Sequence, residues 1–110
     1  MEQWDVWYAK FPYEENPNIT KNRPVIILNV EPIECLSVKV TSKDIREVDE
    51  FDVEIKHWKD AGLKLPSVAR VSKTMNLSKE LFVNKKGVLQ DEDKTIIMNK
   101  FKEYINKQNT

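Results

Sequence analysis

The chain has 110 residues, with 18 basic and 18 acidic side chains, 40% hydrophobic residues and one cysteine. This length and composition predict a single compact domain over residues 1–110 and argue against a wholly disordered chain. No apolar run approaches the roughly 20 residues that cross a bilayer, and the N-terminus lacks the features of a signal peptide, so we expect a cytoplasmic protein with no membrane partner. The single cysteine, Cys35, excludes an intramolecular disulfide, and its apolar surroundings predict a core position.

The two halves of the chain carry opposite net charges. Residues 1–55 contain 6 basic and 12 acidic side chains, net −6, whereas residues 56–110 contain 12 and 6, net +6. Such asymmetry can attract RNA or an acidic protein segment to one face. The alternative is that the two halves intermix in space and their charges cancel.

The first half of the chain predicts strands. Residues 4–11 have no Gly or Pro and are apolar at both parities, which is typical of a strand covered on both faces. Residues 12–22 are polar and predict a mobile surface loop. The aliphatic run 25–30, entered through Pro24, predicts a buried second strand. Residues 35–42 alternate, which predicts a third strand with one core face and one wet face.

The second half predicts shorter elements and a terminal helix. Two further strands are expected over 52–55 and 68–74, separated by a helical turn at 57–61 that ends at Gly62. A turn capped by Ser78 precedes a last strand over 82–89, in which Gly87 marks a bulge. Three carboxylates at 91–93 and apolar residues at helical spacing then predict an amphipathic C-terminal helix. The expected fold is mainly β, a small and strongly bent antiparallel sheet or barrel closed by that helix.

One pair of residues stands out when strands 2 and 3 are treated as a hairpin centred on Pro32. Opposite residues then have numbers that sum to 64, which places Arg23 opposite Thr41 at the open end. A guanidinium beside a hydroxyl suits a phosphodiester, because five N–H donors can bind the nonbridging oxygens and stabilise developing charge. The plain alternative is a solvated edge arginine and an ordinary strand threonine.

Several segments, in order, resemble the MazF/PemK (Kid) family of toxins from type II toxin–antitoxin pairs. The resemblance covers nearly the whole chain. It is carried by the runs Trp4-Asp5-Val6-Trp7-Tyr8-Ala9, Asn22-Arg23-Pro24-Val25-Ile26-Ile27-Leu28, Lys39-Val40-Thr41-Ser42, Leu65-Pro66-Ser67-Val68-Ala69-Arg70-Val71-Ser72-Lys73 and Lys85-Lys86-Gly87-Val88-Leu89-Gln90-Asp91-Glu92-Asp93.

This resemblance implies an SH3-like barrel that forms homodimers, cuts single-stranded RNA at short sequences without a metal or other cofactor, and is neutralised by a cognate antitoxin. The family's essential Arg and Thr fall on Arg23 and Thr41, the same two residues that the hairpin register pairs. The implied reaction is attack of a ribose 2′-OH on the adjacent phosphate, with Arg23 stabilising the phosphorane and Thr41 positioning the phosphate or the 2′-OH. We assign further RNA contacts to a set of polar residues, namely Lys21, Ser42, Lys73, Lys85 and Lys86.

The chain also departs from the family pattern. The loop before Arg23 has no Gly, and Asn18 stands where many members have an acidic residue. Glu14 and Glu15 lie earlier in the loop, where adjacent glutamates are more often plain surface residues. Val71-Ser72-Lys73 replaces an acidic stretch of the later strand, so base preference does not transfer.

Several other residues have side chains that could take part in chemistry. His57 titrates near neutrality and is a candidate general base, although a surface position is the simpler interpretation. Trp4, Trp7 and Tyr8 can stack on bases, but a two-sided strand favours core packing. The carboxylates at 91–93 are explained by helix capping, and we predict no metal site.

Two rivals to a nuclease stay open. The same barrel type resembles toxins that poison gyrase, so the chain can instead act by binding a protein. A decayed toxin that binds only its antitoxin is the other alternative. The presence of both Arg23 and Thr41 favours the nuclease.

Overall fold

The computed structural model describes residues 1–13, 15–43 and 48–109. Within these ranges the secondary structure consists of strands, one short 3₁₀ turn at Lys79–Leu81 and one helix. The elements are β1 (Asp5–Pro12), β2 (Thr20–Val30), β3 (Glu34–Ser42), β4 (Asp52–Glu54), β5 (Ser67–Ser78), β6 (Phe82–Val88) and α1 (Asp91–Gln108).

The strands form one antiparallel sheet in the order β4-β5-β3-β2-β1-β6. Its inner face carries alternate aliphatic residues, and burying each such side chain fully contributes about 1.5–3 kcal/mol. The helix α1 adds Ile97 to this core, where the side chain is fully buried. The predicted mainly-β fold with a C-terminal helix is therefore confirmed. Fully buried members of the inner core are Val6, Ile26, Val38, Val40, Ala69 and Val71.

The two glycines of the chain meet where the turn after β4 packs against β6. Gly62 has a φ of +87°, and a Cβ added there would lie 2.2 Å from the carbonyl oxygen of Lys86. A Cβ on Gly87 would lie 2.5 Å from the carbonyl oxygen of Ala61. The backbones approach this closely only because both positions lack a side chain. This backbone contact closes the turn after β4 against β6, which lies at the opposite edge of the sheet.

The β2–β3 hairpin has the predicted register at its open end. Val25 pairs with Lys39 and Ile27 with Ser37, so that the numbers of paired residues sum to 64. Near the turn the register shifts by one residue, since Val30 pairs with Cys35. A bulge at Leu28 absorbs this shift, and the open end therefore keeps the alignment expected for a turn centred on Pro32.

Strand β2 begins at Thr20, so two predictions about its start were wrong. Residues 20–22 belong to the strand rather than to a loop, because β1 continues to Pro12 and its backbone pairs with them. Pro24 lies inside β2 rather than at its first residue. A proline is tolerated there because the β2–β3 ladder starts only at Val25, which leaves Pro24 without a partner on β3.

The outer face of β3 is less exposed to solvent than the alternating sequence pattern predicted. Ser37 is fully buried, and its hydroxyl donates a hydrogen bond to the carbonyl oxygen of Cys35 at 3.0 Å. Cys35 is also fully buried, as predicted, and burial raises the pKa of its thiol. A second cluster covers this outer face of the sheet. Its buried members are Ala9, Phe11, Val25 and Leu77.

Strand β5 is longer and less regular than predicted. It runs to Ser78, and residues 71–74 bulge out opposite Val38. Ser78 precedes the 3₁₀ turn, but its side chain makes no capping hydrogen bond. The bulge predicted near Gly87 is confirmed by a register shift, because Val6 pairs with Gly87 whereas Trp7 pairs with Lys85.

Helix α1 is held to the sheet through a buried carboxylate in its first turn. Asp93 is fully buried and accepts hydrogen bonds from the backbone N–H groups of Lys56 and His57, each at 2.9 Å. Asp93 therefore fixes the chain after β4, a role beyond the helix capping predicted for residues 91–93. Phe51 stacks edge-on against Tyr104 at the other end of the helix. No helix among the described residues is long and apolar enough to cross a membrane.

We predict that Gly62→Ala destabilises the fold by at least about 2 kcal/mol, because the new methyl group meets a backbone carbonyl and the left-handed conformation disfavours a Cβ. Chemical denaturation monitored by circular dichroism measures the change. Lys59→Ala, an exposed substitution in the same turn, is the matched control and should stay within about 0.5 kcal/mol of the wild type. A Gly62→Ala chain as stable as this control would contradict the closure described above.

Candidate functional site

A pocket of about 250 Å³ opens where β2 and β3 stop pairing with each other. Beyond Val25 and Lys39, β2 stays paired with β1, and β3 stays paired with β5. The two strand ends are thus held by different neighbours, and the space between them forms the pocket. Its third wall comes from the chain between β4 and β5. The main lining residues are Tyr8, Lys21, Arg23, Thr41, Ser42 and Lys64.

Four of the predicted site residues line this pocket together. Arg23 and Lys21 come from β2, and Thr41 and Ser42 come from the end of β3. Thr41 on β3 pairs with Val68 on β5, and this pairing fixes the backbone that carries the Thr41 hydroxyl. A guanidinium, an ammonium and two hydroxyls supply hydrogen-bond donors from two sides of one space. Such a set suits a tetrahedral anion such as a phosphate group.

Lys86 does not line this pocket itself but contacts Tyr8, which does. Its ammonium lies 4.4 Å from the centroid of the Tyr8 ring, a cation–π contact. Tyr8 lines the pocket, so the core position preferred for it from the sequence is wrong. Trp4 and Trp7 pack against the two hydrophobic clusters, as predicted.

Lys85 is engaged elsewhere. Its ammonium lies 3.3 Å from a carboxylate oxygen of Asp5, whose side chain is 4% exposed. Burial alone would raise the pKa of Asp5, but hydrogen bonds from the backbone of Glu2, the Trp7 indole and Lys85 outweigh it and hold this pKa below its usual value. Lys85 thus compensates a buried charge, and it does not line the pocket that holds Arg23.

Arg23 also lines a second pocket, of about 290 Å³, on its outer side. Lys39, Arg70 and Lys73 share this pocket with Arg23, so it gathers four cationic side chains, and among the described residues that line it Glu15 is the one carboxylate. Arg70 is oriented by Asp52, whose carboxylate lies 3.3 Å from its Nε. We refer to this space as the basic pocket. Arg23 thus stands between a hydroxyl-lined pocket and a strongly positive one.

The sequence reasoning placed Lys73 at the site but missed Lys39, Arg70 and Lys64. Lys39 has the parity of Arg23 and Thr41 in the hairpin, which is a signal that could have identified it. Arg70 on β5 pairs with Lys39 on β3. This pairing follows from the order of the strands in the sheet and has no local signal in the sequence. Glu15 is exposed, as a surface residue is expected to be, and it also lines the basic pocket. Glu14 lies outside the described residues.

His57 binds the first turn of α1 and does not line either of these pockets. Its Nε2 lies 2.7 Å from a carboxylate oxygen of Glu92, and this hydrogen bond is the main reason why the pKa of His57 is raised. The surface interpretation of His57 therefore agrees with its observed position. Among the described residues, no three His, Cys, Asp or Glu side chains group closely enough to hold a metal ion.

Comparison with known proteins gives one family. The sequence model of "PemK-like, MazF-like toxin of type II toxin-antitoxin system" matches residues 2–105. A search of curated protein sequences finds no match.

Two solved structures share the fold. One is an endoribonuclease in complex with its cognate antitoxin from a mycobacterial species, with a TM-score of 0.75, 12% identity, and coverage of 96% of this chain and 95% of that chain. The other is the Mycobacterium tuberculosis toxin MazF-mt6, with a TM-score of 0.69, 18% identity, and coverage of 93% and 96%. At such identities the likeness is one of fold.

We predict that the pKa of the single histidine lies above 6.5, its ordinary value, and that Glu92→Gln moves it back towards that value. The stability that this pair contributes is fully present below the unfolded-state pKa and is lost as the pH rises through the folded-state pKa. An NMR titration of the imidazole C–H signals measures the pKa of His57 in the wild type and in Glu92→Gln. Glu103→Gln, on the same helix, is the control. Equal titration midpoints in the wild type and Glu92→Gln would contradict the pair.

Proposed function

The chain belongs to the PemK-like, MazF-like toxins of type II toxin–antitoxin systems, and on that premise we propose that it is an endoribonuclease that cuts single-stranded RNA without a metal ion in the cytoplasm. One observation carries the proposal: Arg23 and Thr41, held by different strands, line one pocket with Lys21 and Ser42. A toxin that acts only by binding a protein needs no such convergence of donors. The related endoribonuclease structure supports the same reaction class.

In the proposed reaction the ribose 2′-OH attacks the adjacent phosphorus. A new P–O2′ bond forms, the P–O5′ bond breaks, and the products are a 2′,3′-cyclic phosphate and a 5′-OH end. The guanidinium of Arg23 binds the nonbridging oxygens and stabilises the negative charge that grows in the phosphorane. Thr41 donates a hydrogen bond that holds the phosphate in line for attack. Glu15 supplies a carboxylate at the basic pocket that can accept the 2′-OH proton. The leaving 5′ oxygen takes up a proton from solvent water and becomes the 5′-OH.

The flanking phosphates bind the cations on either side of Arg23. Lys21, Ser42 and Lys86 contact the strand at the pocket between β2 and β3, and Lys73 contacts it in the basic pocket. Lys85 contributes less to RNA binding than the other predicted contacts. If its ammonium left Asp5 to bind a phosphate, the buried Asp5 carboxylate would lose its cationic partner. RNA is thus held mainly by its backbone, so binding weakens as salt rises.

Two protein partners complete the proposal. A cognate antitoxin with an acidic segment occupies the positive surface around Arg23 and excludes RNA, as charge complementarity favours. The related endoribonuclease was solved with its cognate antitoxin, which supports this. The chain also acts as a homodimer, since two copies build a groove long enough to hold several nucleotides where one copy offers a shallow face.

We predict that the purified chain cuts a long RNA in EDTA and leaves 5′-OH and 2′,3′-cyclic phosphate ends. Arg23→Ala should lose at least about 10²-fold in cleavage rate, the usual scale for removing a group that stabilises transition-state charge. The variant should keep the thermal midpoint of the wild type, because Arg23 is only partly buried. Mapping the cut ends and timing the loss of full-length RNA measure both effects.

Lys102→Ala, which removes an exposed cation on the helix, is the matched control and should cut at the wild-type rate. Strict dependence on Mg²⁺ would overturn the proposed mechanism. Wild-type cleavage by a folded Arg23→Ala chain would remove Arg23 from the site. A folded wild-type chain that cuts no RNA would favour a toxin that binds a protein.

A further inference from the structure

A third pocket adjoins the pocket that holds Arg23 and Thr41. It measures about 160 Å³ and shares Ser67 with the pocket that holds Arg23 and Thr41. Lys43, which follows Ser42 in the chain, lines it together with Lys56, Trp58 and one carboxylate, that of Glu54. We refer to it as the Trp58 pocket. An RNA strand that leaves the Thr41 side of the first pocket therefore meets an aromatic ring and two ammonium groups.

The Trp58 indole is held in a fixed position. Asp93, fully buried at the start of α1, accepts hydrogen bonds from the two backbone N–H groups that precede Trp58, those of Lys56 and His57. The carbonyl oxygen of Trp58 accepts a hydrogen bond from Leu63 at 3.0 Å. The ring itself packs against the inner core. Because the ring is already ordered, binding a flat partner against it costs little conformational entropy.

The two lysines of this pocket are able to exchange partners. Lys43 pairs with Glu54 and Lys56 with Glu92, each at 3.4 Å, and all four side chains are more than half exposed. Exposed pairs of this kind contribute little to stability, so a phosphate can replace the glutamate. Lys85 differs, since its partner Asp5 is buried.

We propose that the Trp58 pocket is a nucleotide subsite, in which one base of single-stranded RNA stacks on Trp58 and the neighbouring phosphates bind Lys43 and Lys56. The proposal rests on the function proposed above, because it takes the strand from the Arg23 pocket. Continuity through Ser67 favours RNA over an unrelated ligand. An aromatic ring beside cations that can exchange an exposed carboxylate for a phosphate suits a single strand, because the ring stacks on a base of any kind and the cations bind the backbone.

The test measures binding rather than cleavage. Fluorescein-labelled, 2′-O-methylated random-sequence RNA pools, which cannot undergo transesterification, are titrated by anisotropy at lengths from about four to about sixteen nucleotides. Trp58→Leu keeps an apolar side chain in the core but removes the ring, and Trp58→Phe keeps an aromatic face. Lys59→Gln changes a neighbouring exposed lysine outside the pocket and is the matched control.

We expect Trp58→Leu to bind the longer pools about 5- to 100-fold more weakly than the wild type, with little change for the shortest, because stacking on one base is lost. Trp58→Phe should recover most of the affinity, and Lys59→Gln should match the wild type. If Trp58→Leu does not fold, the double variant Lys43→Gln/Lys56→Gln carries the test. Its salt slope for the longer pools should fall by about 1.4, since each lost phosphate contact accounts for about 0.7.

Three results would overturn the subsite: wild-type affinity of folded Trp58→Leu at every length, an equal loss at every length, or an unchanged salt slope in the double variant. The nuclease proposal fails separately. A chain that binds the pools with the expected dependence on Trp58 but never cuts RNA supports the subsite and rejects the nuclease. If the wild type cuts RNA and Trp58→Leu binds the pools as tightly as the wild type does, the nuclease is supported and the subsite is rejected.

Discussion

The point at which the β2–β3 ladder ends determines where the functional side chains meet. Up to Val25 and Lys39 the two strands hydrogen-bond to each other, and beyond that pair each is bound only by its other neighbour. Pro24, which has no N–H to donate, immediately precedes Val25 in the chain and so lies just outside the last pair of the ladder. The strand ends remain rigid because β1 and β5 hold them, yet the space between them is open. Arg23 and Thr41 can therefore reach one ligand from two fixed backbones.

Electrostatics then divides the surface around this opening. The basic pocket collects four cations, of which Arg70 is held by Asp52, whereas the cations beyond Ser67 are held in weak, exposed pairs. Lys85 is the exception, because a buried carboxylate fixes it. The net charges of the two halves do not simply cancel around the site, since Arg23 and Lys39 come from the acidic half and join Arg70 and Lys73 from the basic half. Residues that are distant in sequence thus form one positive surface.

Local patterns were enough to predict most of the strands, the terminal helix and the register of the β2–β3 hairpin up to Val25 and Lys39. The predicted pairing of Arg23 with Thr41 lies beyond the end of that ladder, where the two residues line one pocket instead. Local patterns failed where pairing between distant strands decides the structure. The extension of β2 to Thr20 depends on its pairing with β1. The bulge at residues 71–74 depends on how β5 pairs with β3. The role of Asp93 likewise requires a contact across 37 positions of sequence. Arg70 and Trp58 escaped notice for the same reason, because neither has a local signal that separates a site residue from a surface or core residue.

The central claim is that Arg23 and Thr41 act on the same phosphodiester, and a double-mutant cycle tests it most directly. Cleavage rates of one defined RNA are measured for the wild type, Arg23→Ala, Thr41→Ala and the double variant, with folding checked by thermal melts. If both groups stabilise one transition state, the double variant should lose less than the product of the single losses, with a coupling of about 1–3 kcal/mol. Strictly multiplicative losses in folded variants would show that the two residues act independently and would contradict the account.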